Sequence, residues 1–129
     1  MIAVDTSAMI AMIKVEPDAR RMHDALEAAG GALISTANLL ELQIVLASQR
    51  MLAPWSEVEI VLRWYGIEVH PFDETQSRIA RDAALKFGKG RHKAALNFGD
   101  CFAYALAKSE GIALLCKGDD FKFTDIALA

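Results

Sequence analysis

The chain has 129 residues, 53% of them apolar and 24% charged, with three prolines and a net charge of −3. That size suits one core, so residues 1–129 are expected to form a single domain; no repeat, low-complexity tract or linker divides them. The composition excludes a disordered chain, and no apolar run reaches the ~20 residues that a membrane span requires.

Along the chain, the first apolar run, Ile2–Val4, reads as a short buried strand that Asp5 interrupts. With no basic-then-apolar leader here, a cytoplasmic location is expected. From Asp18 to Ala29, Met22, Ala25, Leu26 and Ala29 share a helical face, and Gly30-Gly31 stops the helix. A second strand follows at Ala32–Ile34. Thr36 to Gln49 is the next helix, with Leu39, Leu42 and Leu46 in register and Leu40 and Ile44 widening the apolar stripe.

Pro54 suits a first helical turn, and Trp55, Val58 and Leu62 repeat from there to Gly66. A third strand, Ile67–Val69, leads to a helix over Glu74 to Phe87 that carries Ile79, Ala83 and Phe87 at spacings of four. Gly99 to Gly111 forms the last helix, with Phe102, Ala105 and Leu106 inward, before a fourth strand at Ile112–Cys116. Strands alternating with helices define an α/β fold around a mostly parallel sheet, whose ligand crevice lies at the strands' carboxyl ends.

Acidic residues recur at those ends. Asp5 follows the first strand directly, although Asp5 or Ser7 would also cap a following helix. Glu41 stands among leucines in Ala37-Asn38-Leu39-Leu40-Glu41-Leu42. Either Asn38 caps this helix and Glu41 completes a capping box, or Ser35 or Thr36 is the cap and Glu41 falls in the second turn. Asp100 opens a very apolar helix after Asn97-Phe98-Gly99, where the glycine permits an unusual backbone angle or a close approach. Asp119 and Asp120 follow the fourth strand in a Gly-Asp turn. Carboxylates gathered in one crevice repel unless a cation neutralises them, and hard oxygen donors without His or Cys select Mg²⁺ or Mn²⁺. The group reads as a metal site suited to phosphate chemistry.

The order Val4-Asp5-Thr6-Ser7-Ala8, Glu41 in a helix, Asn97-Phe98-Gly99-Asp100-Cys101, then Lys117-Gly118-Asp119-Asp120-Phe121 with Thr124-Asp125 resembles the PIN-domain nucleases. More narrowly, it is similar to the VapC toxins of type II toxin–antitoxin modules. The likeness spans essentially the whole chain and is most specific from Leu96 to Leu106. It implies a three-layer α/β/α sandwich, Mg²⁺ or Mn²⁺ at the carboxylates, endonucleolytic RNA cleavage, a homodimer and a VapB-type antitoxin partner. It further implies Asp5 and Asp100 as principal metal ligands, Glu41 as the third acid and the Ser7 hydroxyl as a support.

The chain departs from the family at the fourth acid. Gly118 stands where many members have Asp, and Cys116 where they often have Ser or Thr. Asp119 is the preferred substitute, with Asp120 in support.

The expected chemistry is in-line attack of a metal-activated water on an RNA phosphodiester, leaving 5′-phosphate and 3′-hydroxyl ends. A basic rim is then needed, and Lys89, Arg91, His92 and Lys93 supply it in a glycine-containing loop before Asp100. His23 and His70 are expected to be structural or solvated. Trp55 and Trp64 are expected in the core or at a subunit interface. Cys101 and Cys116 match no zinc spacing and are expected to be small buried residues. The rival from another class is a non-catalytic α/β interaction module whose acids merely cap helices. A receiver-type phosphoacceptor lacks the early acidic pair it requires.

Overall fold

The structure is a computed structural model that describes residues 1–50 and 54–129. The elements follow in the order β1 (Ile2–Val4), α1 (Thr6–Ile13), α2 (Ala19–Ala29), β2 (Ala32–Ser35), α3 (Thr36–Ser48), α4 (Pro54–Trp64), β3 (Ile67–His70), α5 (Glu74–Phe87), α6 (Phe98–Glu110) and β4 (Ala113–Leu115). A 3-10 turn, Asp120–Phe123, follows β4.

The four strands form one parallel sheet in the order β3-β2-β1-β4, so the chain reverses its direction of travel across the sheet between β1 and β4. The short apolar runs are buried because both faces of the sheet are covered. Ala3, Leu33 and Leu114 belong to one core with α5 and α6. Their neighbours Ile2, Val4, Ala32, Ile34 and Leu115 belong to a second core with α1, α2, α3 and α4. The two-residue alternation of a strand thus feeds two helical layers, which is the α/β/α sandwich.

Helix faces follow the apolar spacing with instructive exceptions. Met22 and Leu26 of α2 are buried, and the helix ends at Gly30, whose φ of 66° gives the left-handed cap a β-carbon would strain. In α3, Leu42 and Leu46 are fully buried, whereas Leu40 and Ile44 are 57% and 62% exposed. The widened stripe expected there is therefore not core: one side of α3 faces outward. Trp55 and Trp64 of α4 are likewise exposed, which removes them from the core and leaves Val58 as the buried anchor. By contrast, α6 is buried on nearly all sides, from Cys101 through Ala107, because it lies between α5, the sheet and α3. Among the described residues, no helix is long and apolar enough to cross a membrane.

Candidate active site

The switch point between β1 and β4 is where a doubly wound sheet opens a crevice, and here it receives the acids. The Asp5 backbone N–H donates to Leu115 O at 2.9 Å, tying the end of β1 to the end of β4. Asp5 is 4% exposed. Its Oδ2 accepts from the Ser7 hydroxyl at 2.6 Å and the Ser7 backbone N–H at 3.1 Å. The same Ser7 oxygen accepts from the Lys117 backbone N–H at 2.9 Å. A loop beyond β4 therefore holds the hydroxyl that holds Asp5.

Asp5 is also the N-cap of α1. Capping a helix and joining the acid group are alternatives on sequence alone; the structure combines them. Asp100 does the same. Asn97 caps α6, accepting from the Asp100 N–H at 2.9 Å, while Asp100 Oδ2 accepts from the Asn97 N–H at 2.9 Å. This capping box leaves the other Asp100 oxygen outside the cap.

Glu41 reaches the group from α3. Ser35 is the cap of that helix, accepting from Ala37 N–H at 3.2 Å, so Asn38 is not a cap and Glu41 lies in the second turn. The Glu41 carboxylate rests on Gly99, where any β-carbon would collide with it. Close approach, not an unusual backbone angle, is what that glycine provides. Asn38 is fully buried. Its Nδ2 donates to Glu41 Oε1 at 3.2 Å and to Gly99 O at 3.0 Å. Its Oδ1 has no partner.

The electrostatics follow from burial and crowding. Burial, then the charges of Asp100 and Glu41, push the Asp5 carboxyl up to about 7 against the pull of its Ser7 hydrogen bonds. Burial, then Asp120 and Glu41, raise Asp100 to about 6 against the bond from Asn97. The fourth acid to which Asp100 responds is thus Asp120. Asp119, the acid preferred from sequence, instead pairs with Lys122 at 3.3 Å with its side chain 77% exposed. The 3-10 turn explains the difference, since adjacent residues in it point apart. Cys116 is buried as expected, and burial, then Asp5, push its thiol up to about 12, which keeps it neutral. Arg21, which sequence reasoning overlooked, donates to Cys116 O at 2.8 Å and pins the end of β4 to α2.

Among the described residues, no three His, Cys, Asp or Glu side chains stand close enough to grip one ion together. The expected three-carboxylate ligand set is therefore not closed. The donors nevertheless fit Mg²⁺ or Mn²⁺, which keep several waters and need only one or two direct carboxylates. All are hard oxygens, and the raised Asp5 and Asp100 carboxyls are those a cation would return to the charged form.

The basic rim divides. Lys89, Arg91 and Lys93 are exposed, and Lys93 Nζ lies 4.8 Å from the Phe123 ring centre. His92 instead supports the loop's own structure, since its Nδ1 accepts from Ala94 N–H at 3.0 Å and its ring meets Phe87 edge-on. The loop is cross-tied, with Lys89 N–H to Leu96 O at 3.0 Å and Leu96 N–H to Phe87 O at 2.9 Å, so its glycines do not leave an open chain.

Lys89 and Arg81 line a groove of about 820 Å³ with Phe72, Asn97, Phe98 and Phe102; none of the acids lines it. Glu41 borders a smaller apolar hollow of about 390 Å³ with Leu40, Ile44 and Phe98. His23 bonds Tyr65, and His70 Nδ1 bonds either the Pro71 carbonyl or the Gln76 amide, so both make structural contacts.

A parallel sheet with acids at its switch point defines an α/β domain with an acidic, metal-suited crevice, and the PIN-domain family model matches residues 2–127. The chain belongs to the PIN-domain family and, within it, to the VapC ribonucleases. It is 44% identical over 124 residues to the VapC ribonuclease Mb0640 of Mycobacterium bovis, covering 96% of this chain and 95% of that one. It is 41% identical to Ribonuclease VapC of Mycolicibacterium smegmatis, covering 96% of each.

Solved structures share the fold. VapC20 of Mycobacterium tuberculosis, described as a Sarcin-Ricin loop cleaving toxin, superposes with a TM-score of 0.78 at 16% identity, covering 100% of this chain and 98% of that one. VapBC2 of Rickettsia felis, bound to a DNA fragment from their promoter, also gives 0.78, at 20% identity and the same coverage.

Proposed function

We propose that this chain, as one nuclease domain over residues 1–129, is a metal-dependent endoribonuclease and the toxin of a VapBC-type toxin–antitoxin module. One observation carries the reading: Asp5 and Asp100 are brought to the sheet's switch point with carboxyls raised to about 7 and about 6, beside Glu41. Carboxyls raised chiefly by burial, and further by one another's charge, destabilise a fold and mark functional sites.

Asp5 and Asp100 would hold Mg²⁺ or Mn²⁺, which supplies charge neutralisation at the phosphate and lowers the pKa of water. Ser7 fixes the orientation of Asp5 through the 2.6 Å bond. Glu41 orients the attacking water or takes its proton, and Asp120 adds negative charge at the outer edge. Lys89, Arg91 and Lys93 contact RNA phosphates, with His92 shaping their loop. The exposed Leu40, Ile44 and Phe98 give apolar surface for a homodimer or a VapB-type antitoxin.

The interaction-module reading has one observation in its favour, since Asp5 and Asp100 do cap helices. Asp5→Asn separates the two, because Asn caps a helix as well as Asp does. The nuclease reading predicts that this variant folds but loses RNA cleavage by at least about 100-fold, and that excess EDTA silences the wild type. Mapped products should carry 5′-phosphate and 3′-hydroxyl ends. Full cleavage by Asp5→Asn, or 2′,3′-cyclic phosphate ends, would sink the proposal.

A further inference from the structure

We infer that Asn38 is the positioning residue for Glu41, an inference that rests on the active-site reading above. The residue is fully buried, and its backbone and side chain together link α3 to the starts of α1 and α6. Its backbone oxygen accepts from the Thr6 hydroxyl at 3.2 Å, at the start of α1. Its Nδ2 hydrogens are both spent, one on Glu41 Oε1 at 3.2 Å and one on Gly99 O at 3.0 Å, at the start of α6.

The orientation of this amide is dictated by chemistry. A carboxylate and a carbonyl are pure acceptors, so only the NH₂ group can face them. The oxygen is thereby forced to the other side, where no donor meets it.

That unpartnered oxygen is the informative atom. A buried acceptor without a donor destabilises the fold, and an aliphatic side chain of the same volume would avoid the penalty. The amide therefore carries a penalty that only its two Nδ2 bonds offset, and both of those bonds are made at the site. What the amide does that Leu or Val cannot is clamp Glu41 Oε1 to the turn that presents Asp100. Gly99 completes the device, because it has no β-carbon to push the carboxylate away. Asn38 and Gly99 together fix where Glu41 stands against Asp5 and Asp100, whose carboxyls both respond to its charge.

Asn38→Leu and the near-isosteric Asn38→Asp test this, with Mn²⁺ binding measured by calorimetry beside RNA cleavage and thermal melting. Both variants should fold; Asn38→Leu sheds the orphaned oxygen together with the two Nδ2 bonds, so melting curves serve to confirm a folded variant. Loss of a supporting hydrogen bond should reduce kcat by about 10- to 100-fold with KM changed little, and weaken Mn²⁺ binding by a similar factor. In a Glu41→Gln background, Asn38→Leu should bring no further loss of Mn²⁺ affinity; additive losses would mean that Asn38 does not act through Glu41.

Wild-type kcat and Mn²⁺ affinity in either folded variant would overturn the inference while leaving the nuclease reading intact. The nuclease reading fails separately, if Asp5→Asn still cleaves RNA.

Discussion

A carboxyl group held at about 7, as at Asp5, or about 6, as at Asp100, makes folding sensitive to pH in a definite sense. The folded chain keeps protons that an unfolded chain, with carboxyls near about 4, has released. Stability from these two groups is therefore full below about pH 4 and falls as pH rises towards about 7. Asp125 works the opposite way. Hydrogen bonds from Lys108 and then Tyr104 hold it down to about 2, so its contribution is full above about pH 4 and is lost towards pH 2. In EDTA, the melting temperature should fall between pH 5 and pH 8, and Asp5→Asn should flatten that fall. An unchanged profile in the variant would show that Asp5 is not the titrating group.

At the scale of elements, three helices deliver the acids by their amino ends. Asp5 caps α1, Glu41 lies in the second turn of α3, and Asp100 is in the first turn of α6. Partial positive charge at these ends favours carboxylates there and moderates their repulsion. The Asn97–Asp100 capping box makes the start of α6 serve both folding and chemistry. Asn97→Ala should cost about 1 kcal/mol, a drop of about 4 °C in melting temperature, and Asn97→Ser should restore most of it. Melting curves of both variants check this; equal values for Ala and Ser would show that the cap contributes nothing. The exposed side of α3 belongs to the same scale. Leu40 and Ile44 fit a helical stripe in sequence, yet they stand 57% and 62% exposed, on a hollow that Phe98 also lines.

For the whole molecule, a net charge of −3 conceals a division between an acidic crevice and a basic loop. On the proposed reading, RNA is repelled by the first and held by the second. Replacing Arg91 and Lys93 by Ala should weaken RNA binding at low salt and reduce the slope of log Kd against log salt by roughly 1 to 1.5. Filter binding across a salt series measures this, and an unaltered slope would remove both residues from the RNA surface. His92→Ala should not be read in the same way, because that ring supports the loop's own backbone.

Much of the architecture is legible in the chain itself. Four short apolar runs, the helical spacings between them and acids placed just after strands 1 and 4 specify the α/β order and the end of the sheet where chemistry belongs. These are local properties, set by the periods of strand and helix and by turn residues, so one sequence suffices to read them. The resemblance from Leu96 to Leu106 added the class of nuclease. The tertiary structure alone decided the remainder: Asp119 paired with Lys122 while Asp100 feels the charge of Asp120, Glu41 seated on Gly99, Asn38 behind it, and Trp55, Leu40 and Ile44 left outside the core. Each depends on contacts between residues far apart in the chain, such as the 61 positions that separate Asn38 from Gly99. No local pattern encodes which side of a turn a carboxylate takes, or which face of an apolar helix a neighbouring layer covers.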